Sequence, residues 1–355
     1  MNTVPRTTRD TPIPSPIRRD TVVMGRADYM SIVLRLVGVE LYKIRRRTMS
    51  KILSVIGIFV MLIAFFAIAL TPIIIARGSS NDFLPPPCHT GTQPGIETCL
   101  NHPATAADLR HAEQMKMDTV AQSSTSLRLP DSLPVANIIA QNIGMLLIVI
   151  LAGTIVGGEY SVGTVRLMFT RGPTRSQFIF AKVGALLVCT VIGLPVGILI
   201  GVVAGAIFNM FTGVATSFAF LTGTWILHLV LYLLISMLGL FTYAMVALCL
   251  ATLGRTTTAG VAGALVWWVL ENILGSLLSA VGIQVGGVLG NTLKAIPTYF
   301  IGSNINALLQ NQVQYLSGGT SSQTSDLQSL LVLAFYLALS IGLAWWVTQR
   351  RDITN

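Results

Sequence analysis

Long uncharged apolar stretches, separated by short charged ones, dominate the chain. Residues 52–76 are uncharged between Lys51 and Arg77, and residues 327–349 are uncharged up to Arg350. A helix of about 20 apolar residues crosses the ~30 Å hydrocarbon layer of a bilayer. We therefore predict an all-α, polytopic integral membrane protein with six transmembrane helices. The predicted spans are about residues 52–76, 134–158, 177–208, 218–251, 259–281 and 327–349.

The limits of spans three to five are the least sharply marked. No Asp, Glu, Lys or Arg occurs in residues 183–254, a length that accommodates two spans and a turn, and the most polar part is 209–224. After span five, glycines interrupt the apolar pattern in 281–293, which predicts either a continued crossing or a short re-entrant helix. Residues 297–326 are polar and are predicted to lie outside the membrane.

Polar segments flank the first span. Residues 1–27 combine Pro, Arg and Thr and lack the apolar region of a signal peptide, which predicts a disordered cytoplasmic tail. Residues 28–355 are predicted to form one membrane domain, beginning with segment 28–47. That segment favours an amphipathic helix in the membrane surface, with Ile32, Leu36 and Val39 on its apolar side, over a plain basic stop.

Residues 77–131 form the predicted extracellular loop, in which 108–121 favours a short helix. In an oxidising exterior, Cys88 and Cys99 predict a disulfide. The competing interpretation is a metal site that also uses histidines of this loop, but the spacing fits no metal-binding pattern, so we predict no metal. The histidines concerned are His89, His102 and His111.

Composition and charge support this topology. The chain is 53% hydrophobic and only 10% charged, whereas soluble domains average about 25% charged residues. Its net charge of +9 reflects topology rather than nucleic-acid binding, because 18 of 23 Lys and Arg residues fall on one predicted side. That side is then the cytoplasm of a cell with the protein in its plasma or inner membrane, and both termini are predicted to lie there.

A compact charged island, residues 157–182, separates spans two and three. Its charges cannot lie in lipid, so we predict a short surface element with a helix over 160–170. Gly157 and Gly158 permit the bend out of span two. The simplest alternative is that these charges only orient the protein. The charged residues are Glu159, Arg166, Arg171, Arg175 and Lys182.

The sequence argues against an enzyme. Gly158 and Gly163 have the spacing of a phosphate-binding loop, but Thr164 stands where that loop requires Lys. No pair of nucleophile and base is visible near the spans. Glu271 lies within span five, where it lines a substrate path, makes a structural hydrogen bond, or reaches the outer water. His228 in span four is predicted to be a packed residue rather than a proton relay.

The island resembles the cytoplasmic loop of permease subunits of type-2 ATP-binding-cassette (ABC) exporters. In that family a Glu closes span two, a Gly-Thr pair follows, and Pro-x-Arg leads to a Lys that opens span three. The residues that match here are Glu159, Tyr160, Gly163, Thr164, Arg166, Pro173, Arg175 and Lys182. The family's elbow helix before span one is matched by Glu40, Lys43, Arg45 and Arg46. Less specifically, the stretch from Pro297 to Asn304 is similar to one before the family's last span.

The resemblance implies that the island carries a coupling helix, which docks on a cytoplasmic ABC ATPase dimer. ATP and Mg²⁺ would bind to that partner, and this chain would hold no cofactor and be no enzyme. A second permease copy or paralogue would complete a dimer that exports a hydrophobic or amphipathic substrate, such as a peptide antibiotic, lipid or drug. The alternative is a membrane sensor or anchor that binds an extracellular ligand through the Cys-containing loop and transports nothing.

Overall fold

Helices make up all the regular structure in the described part of the chain. The computed structural model describes residues 29–85, 103–161, 174–210, 218–318, 320–322 and 324–350. Its α-helices are α1 (Tyr29–Arg46), α2 (Thr48–Arg77), α3 (Ala106–Thr125), α4 (Ser132–Ser161), α5 (Arg175–Asn209), α6 (Gly223–Gly254), α7 (Thr257–Val285), α8 (Gly287–Ala295), α9 (Ile301–Ser317) and α10 (Asp326–Arg350). Short 3₁₀ helices lie at Ser80–Phe83 and Ile296–Tyr299.

Six described helices are long and apolar enough to cross a membrane: α2, α4, α5, α6, α7 and α10. This confirms the predicted all-α class and the six helices able to cross a membrane. The helices differ from the predicted spans by a few residues at their ends, because polar caps define where they begin. Thr174, Thr222 and Thr256 each accept a backbone N–H with the side chain at the start of α5, α6 and α7.

Helix α6 forms the centre of the bundle. It packs against α4, α7, α9 and α10. Of its most apolar stretch, 61% is buried, compared with 11% for α7, so α7 lies at the periphery. Tyr232, Met245 and Leu248 are among the largest fully buried side chains of α6.

Small residues bring α4 close to the start of α7. A Cβ atom at Gly260 would lie 3.0 Å from the Cα of Gly153. One turn further along α4, Gly157 abuts the backbone of Thr256 and Thr257. Glycines four residues apart allow such backbone contact between membrane helices, which compensates for the missing hydrophobic drive in lipid. The two helices are therefore held together at the α4 end that leads into the charged island.

The stretch after span five folds back on itself. Helix α7 continues to Val285, beyond the predicted limit, and the chain then reverses at Gly286 and Gly287, whose φ angles are 61° and 59°. Such angles favour glycine. Helix α8 packs back on α7 where Gly282 meets Gly290. A short returning helix is one of the two alternatives that the glycine pattern predicted.

Helix α9 lies within the predicted polar outer segment, residues 297–326. It packs on α6 and α10. Ile301, Ile305 and Leu308 of α9 are buried at helical spacing. Polar residues between these positions concealed the amphipathic pattern, and the prediction missed this helix.

Candidate functional site

Four charged side chains meet at the end of the bundle where α1, α4 and α5 converge. The Nζ atom of Lys182 lies 2.6 Å from Glu159 Oε2 and 3.7 Å from Glu40 Oε1. The Nζ atom of Lys43 lies 3.0 Å from Glu159 Oε1 and 2.9 Å from Glu40 Oε1. Each lysine thus contacts both carboxylates. Glu40, Lys43, Glu159 and Lys182 are called the ion cluster below, and their formal charges cancel.

Lys182 is the most deeply buried member, with 0% of its surface exposed. Besides the carboxylates, its ammonium group donates to the carbonyl oxygen of Ile155 at 3.0 Å. It also lies 4.6 Å from the centre of the Phe178 ring, within the range of a cation–π interaction. A buried ammonium is costly unless its charge and hydrogen bonds are satisfied. Here they are, so the lysine fastens the start of α5 to α4.

Lys43 is only half-buried and lies on α1, outside the six apolar helices. Burial alone would lower the pKa of Lys43, but the adjacent carboxylates of Glu40 and Glu159 outweigh that effect and raise the pKa. Lys43 is therefore charged at neutral pH. Helices α1 and α4 are joined by a charged pair under physiological conditions.

Packing of α1 on α5 places Glu40 in the ion cluster. Val33 and Glu40 are buried, and Val37 lies between them on the same face. A Cβ atom at Gly184 would lie 2.7 Å from Val37 Cγ2, so this close contact requires the glycine of α5. The predicted apolar stripe lies beside this face, with Val39 exposed. That stripe remains available to a membrane surface.

Other predicted coupling and elbow residues lie around the ion cluster rather than in it. Tyr160 packs against Phe178 and Ile179 of α5. Arg175 donates to the carbonyl oxygens of Thr348 at 3.3 Å and Gln349 at 2.7 Å, which joins α5 to the end of α10. Arg45 and Arg46 are exposed.

Several predictions concern residues outside the described part of the chain. The predicted coupling helix and the Cys88–Cys99 disulfide are among them, as are most of the histidines of the alternative metal site. The predicted site residues concerned are Gly163, Thr164, Arg166, Pro173, Cys88 and Cys99.

Glu271 occupies a second buried polar site, formed by α6, α7 and α9. Its carboxylate accepts hydrogen bonds from the Tyr243 hydroxyl at 2.8 Å, the Ile301 amide at 2.9 Å and the Gly302 amide at 3.4 Å. The two amides belong to the first turn of α9, where the helix dipole favours a negative charge. Of the three predicted roles for Glu271, the structural hydrogen bond is therefore present.

Glu271 also lines a cavity of about 710 Å³ between α4, α6, α7 and α9. Amide and hydroxyl side chains contribute much of its wall, although the surrounding helices are apolar. Asn137 Oδ1 is buried there and has no hydrogen-bond partner among the described residues. The cavity offers hydrogen bonds through the other polar side chains of its wall. Its polar wall includes Asn137, Gln141, Asn142, Glu271, Ser276 and Gln310.

Two further residues have clear packing roles. His228 stacks on Tyr315 with ring centres 3.9 Å apart, and its Nδ1 lies 2.8 Å from Gln312 Oε1. Asn304 donates to the carbonyl oxygens of Thr298 at 2.8 Å and Phe300 at 2.7 Å, which fixes the chain just before α9.

Sequence reasoning identified all members of the ion cluster but not their mutual contact. It missed Asn137 and Tyr243 as neighbours of the second site. One signal was present: Asn137 and Gln141 are four residues apart within a predicted span, which places two amides on one helix face. Nothing in the sequence indicated that α9 would present its first amides to Glu271.

Comparison with known proteins yields a family assignment. A search of curated proteins finds no match. A family model matches residues 118–354, which include α4 to α10 and therefore most of both buried polar sites. Since the match covers about two-thirds of the chain, the protein belongs to the family described as "Protein of unknown function (DUF2705)".

Proposed function

We propose that the protein is the permease subunit of an ABC exporter. In this proposal, ATP is hydrolysed in a separate cytoplasmic ATPase dimer, and a second permease copy or paralogue completes the membrane part. The substrate is amphipathic and crosses the cell membrane between the permease subunits. Both termini of the chain lie in the cytoplasm.

The ion cluster is the observation that carries this proposal. Its members lie on α1 and on both helices that flank the island, so a displacement of the island acts on three helices together. Surface charges that only orient a protein need no such burial, whereas Glu40, Glu159 and Lys182 are each at most 7% exposed. This arrangement supports a mechanical role for the island.

Helix α4 connects the ion cluster to the polar cavity. Glu159 and Gln141 are 18 residues apart on this continuous helix, which corresponds to about 27 Å at 1.5 Å per residue. A force applied at one end of α4 would therefore reach the cavity wall at the other. Helix α7, which carries Glu271, is fixed to α4 at Gly153 and Gly157.

The cavity supports an amphipathic substrate over a wholly apolar one. Its amide and hydroxyl groups offer hydrogen bonds that a hydrocarbon would leave unsatisfied, and unsatisfied groups in lipid are costly. The amide and hydroxyl groups of the wall favour a ligand that carries polar groups of its own. We infer that the polar part of the substrate passes this cavity.

The test replaces Gly163 and Thr164 with leucine, because Glu159 variants would disturb the buried ion cluster as well as any partner contact. The matched control replaces another Gly-Thr pair, Gly223 and Thr224, at the opposite end of the bundle. Both control residues are exposed, and nothing lies within 4 Å of a Cβ at Gly223. Each variant is reconstituted with an ATPase subunit that co-purifies with the unmodified protein. ATP hydrolysis and substrate movement are then measured.

We expect the Gly163 and Thr164 variant to hydrolyse ATP without substrate movement, and the control to behave as the unmodified protein. Equal coupling in both variants would contradict the role of the island. If no substrate moves even with unmodified protein, while extracellular ligand binds segment 77–131, the sensor interpretation replaces transport.

A further inference from the structure

An apolar groove of about 400 Å³ runs between α2, α4 and α5, beneath the end of α1. It is separate from the polar cavity and is lined almost entirely by aliphatic side chains. Leu41 and Ile44 of α1 close one end, and Gly193 of α5 lies on its exposed side. The groove thus opens to the surroundings of the bundle between α2 and α5.

Glycines create the space. Gly57, Gly144, Gly193 and Gly197 all line the groove. At Gly197, an added Cβ atom would lie 3.5 Å from the Cβ of Ala140, which also lines the groove. A side chain at Gly197 would therefore point across the groove toward α4.

The few polar groups of the wall are already satisfied within their own helices. Ser54 Oγ donates to the carbonyl oxygen of Ser50 at 3.0 Å, and Thr190 Oγ1 donates to that of Leu186 at 2.9 Å. Water in a cavity requires several polar partners. The groove is therefore suited to hydrocarbon rather than to water or a polar ligand.

The length of the groove matches one leaflet of a bilayer. Its α2 wall extends from Ser50 to Met61, which is about 16 Å at 1.5 Å per residue. Half of the ~30 Å hydrocarbon layer is about 15 Å. One extended acyl chain therefore fits alongside α2.

Cations surround the α1 end of the groove. Lys51 is exposed there, and residues 44–58 contain four Lys and Arg residues but no Asp or Glu. Arg47 donates to the carbonyl oxygen of Thr154 at 3.5 Å, one turn from Leu151 of the groove wall. Such a cluster beside a membrane helix attracts anionic headgroups.

We propose that the apolar groove binds one acyl chain of an anionic phospholipid, whose phosphate lies near Arg47 and Lys51. The lipid belongs to the leaflet on the α1 side. Bound there, it packs against α1, α2, α4 and α5 together. This site is independent of the proposed transport function.

The test uses purified full-length protein in detergent and native mass spectrometry. Phosphatidylglycerol and phosphatidylcholine with identical acyl chains are added separately, and bound lipid is counted. Gly197→Phe fills the groove. Gly342→Phe is the control, because Gly342 lies on α10, which does not line the groove, and nothing lies within 4 Å of an added Cβ there.

We expect Gly197→Phe to weaken phosphatidylglycerol binding about fivefold or more and Gly342→Phe to leave it unchanged. Lys51→Gln should weaken phosphatidylglycerol binding about fivefold, the effect of one cation near an anionic headgroup, without changing phosphatidylcholine binding. Equal effects of the two phenylalanines would overturn the groove assignment. Equal affinity of the unmodified protein for both lipids would overturn the proposed preference for an anionic headgroup.

Cys189 lines the groove. Its reactivity in the unmodified protein therefore gives a second test, which needs no variant. In unmodified protein, phosphatidylglycerol should slow alkylation of Cys189 by an apolar maleimide, as followed by peptide mass spectrometry. Alkylation that does not respond to this lipid would likewise overturn the proposal.

Discussion

Two buried glutamates, Glu159 and Glu271, satisfy their carboxylates in different ways. Each has 7% of its surface exposed. Glu159 is paired with two lysines, so its charge is cancelled within the ion cluster. Glu271 accepts hydrogen bonds from a phenol and two backbone amides, and no cation of the described part of the chain pairs with it.

This difference matches what each site can do. Around Glu159, two lysines hold α1, α4 and α5 together through buried ion pairs. Neutral donors at Glu271 hold the start of α9 and leave a polar cavity beside it. We infer that the first site transmits displacement, whereas the second site meets the substrate.

Removing a cation from the ion cluster should have the largest effect on stability. Lys182→Met leaves Glu40 and Glu159 with Lys43 alone, and breaking a buried ion pair costs about 3–5 kcal/mol. The free energy of unfolding in mixed micelles measures this loss. Arg110→Met, at an exposed arginine of α3, is the control and should change stability by no more than about 0.5 kcal/mol. Similar losses in both variants would show that the ion cluster does not hold the helices.

Loss of the Glu271 carboxylate should reduce stability less than loss of the Lys182 ammonium group, because the partners of Glu271 are neutral. Glu271→Ala removes the acceptor of three hydrogen bonds, and we expect a loss of about 3 kcal/mol in unfolding free energy. Asn272→Ala is the adjacent control, since the Asn272 side chain donates only to its own helix, at Trp268. The assignment is wrong if Asn272→Ala destabilises the protein as much as Glu271→Ala.

The contact that connects the two regions tests whether α4 and α7 form one unit. Gly157→Ala would place a Cβ atom against the backbone of Thr256 and Thr257, and overpacking of this kind costs about 2 kcal/mol. At Gly158 the nearest atom to an added Cβ is Thr257 Cγ2 at 3.9 Å, so Gly158→Ala should be neutral. Thermal unfolding of both variants distinguishes a specific backbone contact from a general effect of alanine.

The smallest expected effect concerns a single donor to Glu271. Tyr243→Phe removes the phenol but leaves both amides of α9, so we expect a loss of about 1 kcal/mol. Tyr299→Phe is the control, because the Tyr299 side chain is exposed. A loss at Tyr243 as large as that of Glu271→Ala would mean that the amides contribute nothing.

The six crossings could be predicted because span length and hydropathy are local properties of the sequence. The members of the ion cluster could also be named, since charges that border apolar spans stand out. Their contact could not, because Glu40 is more than a hundred residues from Glu159. Pairing of this kind depends on how α1 packs against Gly184, which no periodicity reveals.

The second site was less accessible to prediction. Glu271 is visible as a carboxyl within a span, but its partners come from α9, a helix concealed among polar residues. The side chain of Asn304 fixes the entry into this helix through two carbonyl groups. The contact between Glu271 and the first amides of α9 joins residues 30 apart in the sequence, so it is recognisable only in the folded structure.

Cross-linking from the island tests the central claim most directly. A photoreactive amino acid is placed at Arg166, between the two helices that the ion cluster joins, and as a control at Arg110, exposed on α3. Membranes are irradiated and the captured proteins are assayed for nucleotide hydrolysis. The account predicts capture of an ATPase from position 166 and not from position 110. Capture from position 110 alone, or no nucleotide-hydrolysing protein from position 166, would contradict it.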